Sequence, residues 1–212
     1  ITPLLDEAAA PVDITRATTA IFYSISNMQT GLRGVSFGDS LIKHVVETLT
    51  AEFPRLRTFA TLSPIPGFRA WLGKHAGAML DRLDDKRRSE LGRAVGFEPP
   101  QATHFLGALD KALELDAKSP VRQMLLECAA YYLGRELQEG KPADPVARFH
   151  LGNGARVERL NWAGDPSGKG QKQSYGLMVN YLYDLKRIDK HRSLLAQGKV
   201  PVSGDIDSLC RD

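Results

Sequence analysis

The feature that most constrains the fold lies near the start of the chain. Residues 20–25, AIFYSI, are apolar, aromatic and branched, and read as a buried strand. Residues 27–38 carry Gly31, Gly34 and Gly38, which marks a glycine-rich loop. From about Val35 the spacing turns helical, with Leu41, Ile42, Val45, Val46, Leu49 and Phe53 on one face. Pro54 closes that helix, and residues 57–62 form a second short strand. Strand, loop, helix and strand in this order predict a mixed α/β domain.

The remainder fills in that class. Residues 1–19 read as an extended lead-in. Residues 70–140 are rich in Leu, Ala and charged residues and read as a helical insertion. Leu80, Leu83, Leu91 and Val95 suggest one helical region; Phe105, Leu106, Leu109 and Leu113 suggest another. A third, more buried helix is expected over residues 121–137, with Pro99, Pro100 and Pro120 as punctuation. Residues 147–151 and 155–162 read as the arms of a hairpin about Gly152-Asn153-Gly154. A polar loop follows over residues 163–174. Residues 176–195 read as helix, and the tail from Gly198 as irregular.

Totals narrow the function. With 28 basic and 25 acidic residues the net charge is only +3, too small to predict nucleic-acid binding without a clustered patch. The densest basic run, Lys86-Arg87-Arg88, is flanked by Asp84, Asp85 and Glu90 and reads as a solvated helix face. Cys128 and Cys210 are the whole cysteine complement, so no disulfide scaffold is expected. The five histidines show no pair at metal-ligand spacing. No apolar run reaches the ~20 residues that span a bilayer. No membrane association and a reducing cytoplasm are the expectations. The chain opens on Ile1 rather than Met, which suggests a processed piece or one cut from something longer.

Three places could carry chemistry. The glycine loop before a helix resembles a phosphate seat, because helix-start N–H groups lack partners and the helix dipole favours anions. It has neither the P-loop pattern nor GxGxxG, so a ligand-free turn remains the plainer reading of the spacing. Asp39 would repel phosphate if the helix begins at Gly38; a start near Gly34 removes that objection. Ser63 stands before Pro64, with Pro66 and Gly67 following. The prolines hold its backbone stiff and extended. No GxSxG elbow surrounds it, so it reads as a hydrogen-bonding group for a substrate or as a turn cap. His150 shares a predicted strand face with Arg148; a structural histidine is the plainer reading, and its ordinary pKa of ~6.5 also suits it to donate a proton near neutrality. Tyr181 and Tyr183, two apart on a predicted helix, should not share a face.

Four stretches carry a resemblance beyond these readings: FYSISNMQTGLRGVSFGDSLIKHV (22–45), FATLSPIPGFRAWL (59–72), RFHLGNGARVERLNWAGD (148–165) and SYGLMVNYLYDLKRI (174–188). In these stretches and their order the whole chain resembles the catalytic domain of malonyl-CoA decarboxylase. The resemblance implies a fold like the GNAT acyltransferases, modified by the helical insertion. It also implies a second, all-helical domain N-terminal to residues 1–212, an expected homo-oligomer through that domain, and a sheet edge left exposed. The implied reaction takes malonyl-CoA to acetyl-CoA and carbon dioxide without a metal or organic cofactor.

By the same resemblance Ser63 and His150 are the catalytic pair, with His150 as proton donor. Arg33, Gly34, Val35, Ser36, Phe37, Gly38 and Asp39 match the coenzyme A diphosphate segment. Ser24 and Tyr183 match further positions lining the site. Two departures stand out. Ser36 occupies a position that is glutamate in some members, so no base role carries over there. The run Gln29-Thr30-Gly31-Leu32-Arg33-Gly34 is one residue off the usual acyltransferase pattern, which shifts the expected register of the phosphate contacts. The competing classes are an acetyltransferase and a non-catalytic acyl-CoA-binding module. The acetyltransferase would need an acceptor channel and a base. The binding module would not need Ser63 or His150. Bacterial cytoplasm is the default location, with a eukaryotic organelle as the alternative.

Overall fold

The structure is a computed structural model that describes residues 13–23 and 38–210. After a 3₁₀ turn at Ile14–Arg16, strand β1 (Thr19–Phe22) leads towards helix α1 (Gly38–Glu52), and β2 (Thr58–Thr61) returns beside β1 in parallel, Thr19 opposite Thr58 and Phe22 opposite Thr61. A parallel return needs a crossover, and α1 lies on it. The mixed α/β expectation holds.

Two-residue β3 (Ser63–Pro64) continues the line of β2. Both lie antiparallel to β7 (Met178–Leu182), with Ala60 opposite Leu182 and Ser63 opposite Val179. The other edge of β7 takes β6 (Arg156–Asn161), with a bulge between Val157 and Arg159. β7 is therefore the central strand.

Between β3 and β6 lie α2 (Phe68–Leu80), α3 (Asp85–Val95), α4 (Ala102–Ala108), a 3₁₀ segment at Leu109–Glu114 and α5 (Pro120–Gly134). Helices occupy most of the span expected to be helical, but Leu109 and Leu113 fall in the 3₁₀ segment beyond α4, and Leu80 and Leu83 do not share a helix with Leu91. The Asp84 side chain accepts from Arg87 N–H and starts a new helix there, α3. α5 is the most buried of the group. It packs on α2, α3 and β6, and Leu125, Cys128 and Ala129 are closed off from solvent. A two-stranded ribbon, β4 (Leu137–Gln138) with β5 (Lys141–Pro142), leads into α6 (Pro145–Gly152).

α6 corrects the hairpin expectation. Residues 147–151 are helical because Asp144 caps them, its side chain accepting from Val146 and Ala147 N–H, and Pro145 supplies a pre-set first turn. Gly152-Asn153-Gly154 is then a helix-to-strand joint. Gly154 has φ 84 and abuts Ile188, where a Cβ would come within 2.6 Å of a methyl group. Residues 176–195 are not one helix. Tyr175 and Gly176 both adopt positive φ after α7 (Gly168–Ser174), which ends that helix and launches β7; α8 (Ile188–Ala196) comes later. The tail is also more regular than expected, with α9 (Gly204–Leu209) capped by Ser203. Among the described residues β1 pairs only with β2, and Ile21 on it is exposed.

Candidate active site

Ser63 is mounted where β2 ends. Its strand pairing to Val179 fixes one side, and the Pro64-Ile65-Pro66-Gly67 segment fixes the other, anchored by the fully buried Ile65 and Phe68. The Ser63 hydroxyl donates to Thr61 Oγ1 at 2.9 Å. The same Thr61 oxygen accepts from Tyr181 N–H at 3.2 Å, while the Thr61 carbonyl accepts from Asn180 Nδ2 at 2.6 Å. Side chains thus replace the ordinary ladder bond between β2 and β7 at the point where Ser63 leaves the sheet.

His150 comes not from a strand end, as the sequence suggested, but from the last turn of α6. Its Nε2 lies 3.2 Å from Ser63 Oγ, and its Nδ1 lies 2.8 Å from the Tyr183 hydroxyl. The Tyr181 ring stacks on the imidazole with centroids 4.6 Å apart, and Phe149 meets it edge-on at 5.1 Å. All the polar groups are buried: Ser63 is 5 % exposed, His150 4 % and Tyr183 2 %. Burial pulls the His150 pKa down from 6.5 to about 4. The resting imidazole is therefore neutral near pH 7. Read as one consistent donor chain, Tyr183 O–H donates to Nδ1, Nε2–H donates to Ser63 Oγ, and Ser63 O–H donates to Thr61.

In this reading Nε2 points its proton at Ser63, so the imidazole is set as a donor to the serine oxygen and not as the base that a nucleophilic serine requires. The partner of Nδ1 is a neutral phenol rather than a carboxylate. Among the described residues no buried carboxylate is hydrogen-bonded to the imidazole to stabilise its protonated form, as the aspartate of a catalytic triad would. The site is suited to hold a proton donor and a hydroxyl donor against one small anionic group.

The structure brings Ser63, His150 and Tyr183 together. Tyr181 joins them, contrary to the helical expectation, because alternate residues of an extended chain share a face. Sequence reasoning missed Thr61, Tyr181 and Asp144; the Asp144-Pro145 pair was the available signal, as a helix cap followed by a first-turn proline. Ser24, Arg33, Gly34, Val35, Ser36 and Phe37 lie outside the described residues. Gly38 and Asp39 belong to α1, at the boundary of the described residues. Among the described residues no group of three or more His, Cys, Asp or Glu could hold a metal ion, and no helix is long and apolar enough to cross a membrane.

A mixed α/β sheet with a helix-borne histidine set against a strand-end serine defines the class of domain. All of residues 1–212 match the malonyl-CoA decarboxylase C-terminal domain family, and the chain belongs to it. It is similar to the mitochondrial malonyl-CoA decarboxylase of Mus musculus, 39% identical over 203 residues that make up 92% of this chain and 41% of the relative. Similarity to the mitochondrial enzyme of Anser anser anser is 38% over 190 residues, 85% of this chain and 37% of that protein. Among solved structures, malonyl-CoA decarboxylase from Cupriavidus metallidurans aligns with TM-score 0.80 and 49% identity over 91% of this chain and 48% of that one. The enzyme from Agrobacterium vitis aligns with TM-score 0.79 and 42% identity over all of this chain and 50% of that one. The chain thus spans half or less of the length of these relatives.

Proposed function

We propose that this protein decarboxylates malonyl-CoA to acetyl-CoA and carbon dioxide. The observation that carries the reading is the buried contact between Ser63 Oγ and His150 Nε2 at 3.2 Å, within a chain that belongs to the decarboxylase family. The substrate carboxylate enters a site whose imidazole is neutral, and its charge favours protonation of that imidazole. Breaking the bond to the carboxyl carbon releases carbon dioxide and leaves the electron pair on a thioester enolate. The Ser63 hydroxyl donates to the substrate oxygens, where such donors lower the barrier. The His150 imidazolium then delivers its proton to carbon as general acid. One proton is consumed per turnover, in balance with the loss of the carboxylate. Tyr183 holds Nδ1, and the ring of Tyr181 fixes the imidazole plane.

The same reading gives the domain a GNAT-like plan, supported by the parallel β1–β2 pair, the crossover through α1 and the glycine loop between them. That loop, from Arg33 to Asp39, takes the coenzyme A diphosphate. By the family resemblance Ser24 is a further residue of the site lining.

The test is release of labelled carbon dioxide from carboxyl-labelled malonyl-CoA, beside His150→Ala and an acetyl-CoA binding assay. Release that falls by ~10²-fold or more in the variant, with binding kept, supports the reading. Binding without release in the native protein would transfer the chain to an acyltransferase or a binding module.

A further inference from the structure

Asp144 is fully buried at 0 % exposure and stands outside the Ser63–His150–Tyr183 cluster. One of its oxygens accepts from Val146 N–H at 2.9 Å and Ala147 N–H at 3.0 Å, as an ordinary helix cap does. The other oxygen reaches across to a different segment and accepts from Gly67 N–H at 3.4 Å. The Tyr132 hydroxyl on α5 also donates to the carboxylate. Capping explains the first oxygen only. A serine or asparagine would serve as a cap, without the expense of enclosing a carboxylate.

The second oxygen has a different consequence. Gly67 closes the proline-stiffened segment that begins at Ser63, and Asp144 opens the helix that carries His150. Both connections are rigid: two prolines within four residues on one side, less than two helical turns on the other. Gly67 is shaped for the junction. A Cβ there would lie 2.3 Å from the Tyr132 hydroxyl oxygen and 3.7 Å from Asp144 Oδ2. We propose that Asp144 is a positioning residue that clamps the serine segment to the histidine helix and so sets the Ser63–His150 spacing.

The clamp works through geometry. Burial is what lowers the His150 pKa, and Asp144 acts on the neighbouring segments through its hydrogen bonds. Substitutions that keep the cap but lose the cross-segment bond therefore separate clamping from folding. Asp144→Ser retains a capping oxygen and cannot span to Gly67. Asp144→Asn retains the shape and one capping oxygen, but turns an amide N–H₂ towards the Gly67 N–H, donor against donor.

The inference rests on the decarboxylase reading for its kinetic arm and stands free of it in a structural arm. In the kinetic arm, kcat for carbon dioxide release falls about 10²-fold in both variants, the scale of a roughly 1 Å misplacement, while KM and acetyl-CoA affinity stay within about twofold. In the structural arm, the crystal structure of Asp144→Asn shows Ser63 Oγ and His150 Nε2 beyond ~3.5 Å, outside hydrogen-bond reach. A folded variant with unchanged kcat, or one in which kcat and acetyl-CoA affinity fall together, overturns the clamp. So does an unchanged Ser63–His150 distance. If the native protein releases no carbon dioxide, the proposed function fails, and the crystallographic distance still decides the clamp. If Asp144→Ser does not fold, Asp144→Asn carries both arms.

Discussion

Replacing His150 by glutamine should change how stability depends on pH in a calculable way. In the folded protein burial holds the imidazole at about 4 rather than 6.5. Between those values the unfolded chain binds a proton that the folded chain does not. Stability linked to His150 is therefore present in full above about pH 6.5 and lost as pH falls towards 4. At ~1.4 kcal/mol for each pH unit between the two values, the loss amounts to about 3 kcal/mol. With His150 only 4 % exposed, solvent screening does little to reduce it. The raised Asp144 carboxyl acts in the opposite direction, but it is common to both proteins and cancels in the comparison. Urea unfolding of native protein and His150→Gln, at a series of pH values from 7.5 to 4, measures the difference. The native protein should lose about 3 kcal/mol more than the variant across that range. Parallel curves would show that His150 is not held neutral by its surroundings, and the argument for substrate-induced protonation would fall with it.

Other expectations concern the site itself. Malonyl-CoA, which brings a carboxylate, should bind with uptake of close to one proton near pH 6–7, and acetyl-CoA with none; calorimetry in buffers of different ionisation enthalpy distinguishes them, and equal uptake refutes the coupling. Tyr183→Phe removes one hydrogen bond from His150 Nδ1, and at ~1 kcal/mol for that bond should lower kcat by several-fold with acetyl-CoA affinity kept; a loss confined to binding would reassign Tyr183 to substrate contact. Gly67→Ala forces a methyl group against the Tyr132 hydroxyl and should cost ~1–3 kcal/mol in unfolding free energy, while a neutral result would mean that α5 yields easily at that point.

Legibility in the sequence followed the physics of each element. The serine mount was readable because prolines impose the same backbone wherever they occur. The strand–helix–strand start and the insertion were readable because their apolar spacing is periodic. α6 was misread because five residues with alternating polarity imitate a strand, and the decisive signal, Asp144-Pro145, lies outside those five. β7 was misread because it is buried among helices and two flanking strands; Met178, Val179 and Tyr181 are all buried, so no polar face marks its period. That error separated Tyr181 from Tyr183, which the strand places together beside His150. Thr61 could not have been found from its neighbours, since its role is to receive a backbone N–H from a strand 120 positions away.

The two halves of the reactive pair stand 87 positions apart in the chain, with the whole helical insertion between them. Local helices form early, whereas contacts at such separation must first meet the entropy of closing a long loop. During refolding, helical signal should therefore recover ahead of enzymatic competence. A nascent or half-assembled chain can display much of its secondary structure while remaining chemically inert. On the proposed function, turnover would report that Ser63 and His150 have met across the insertion.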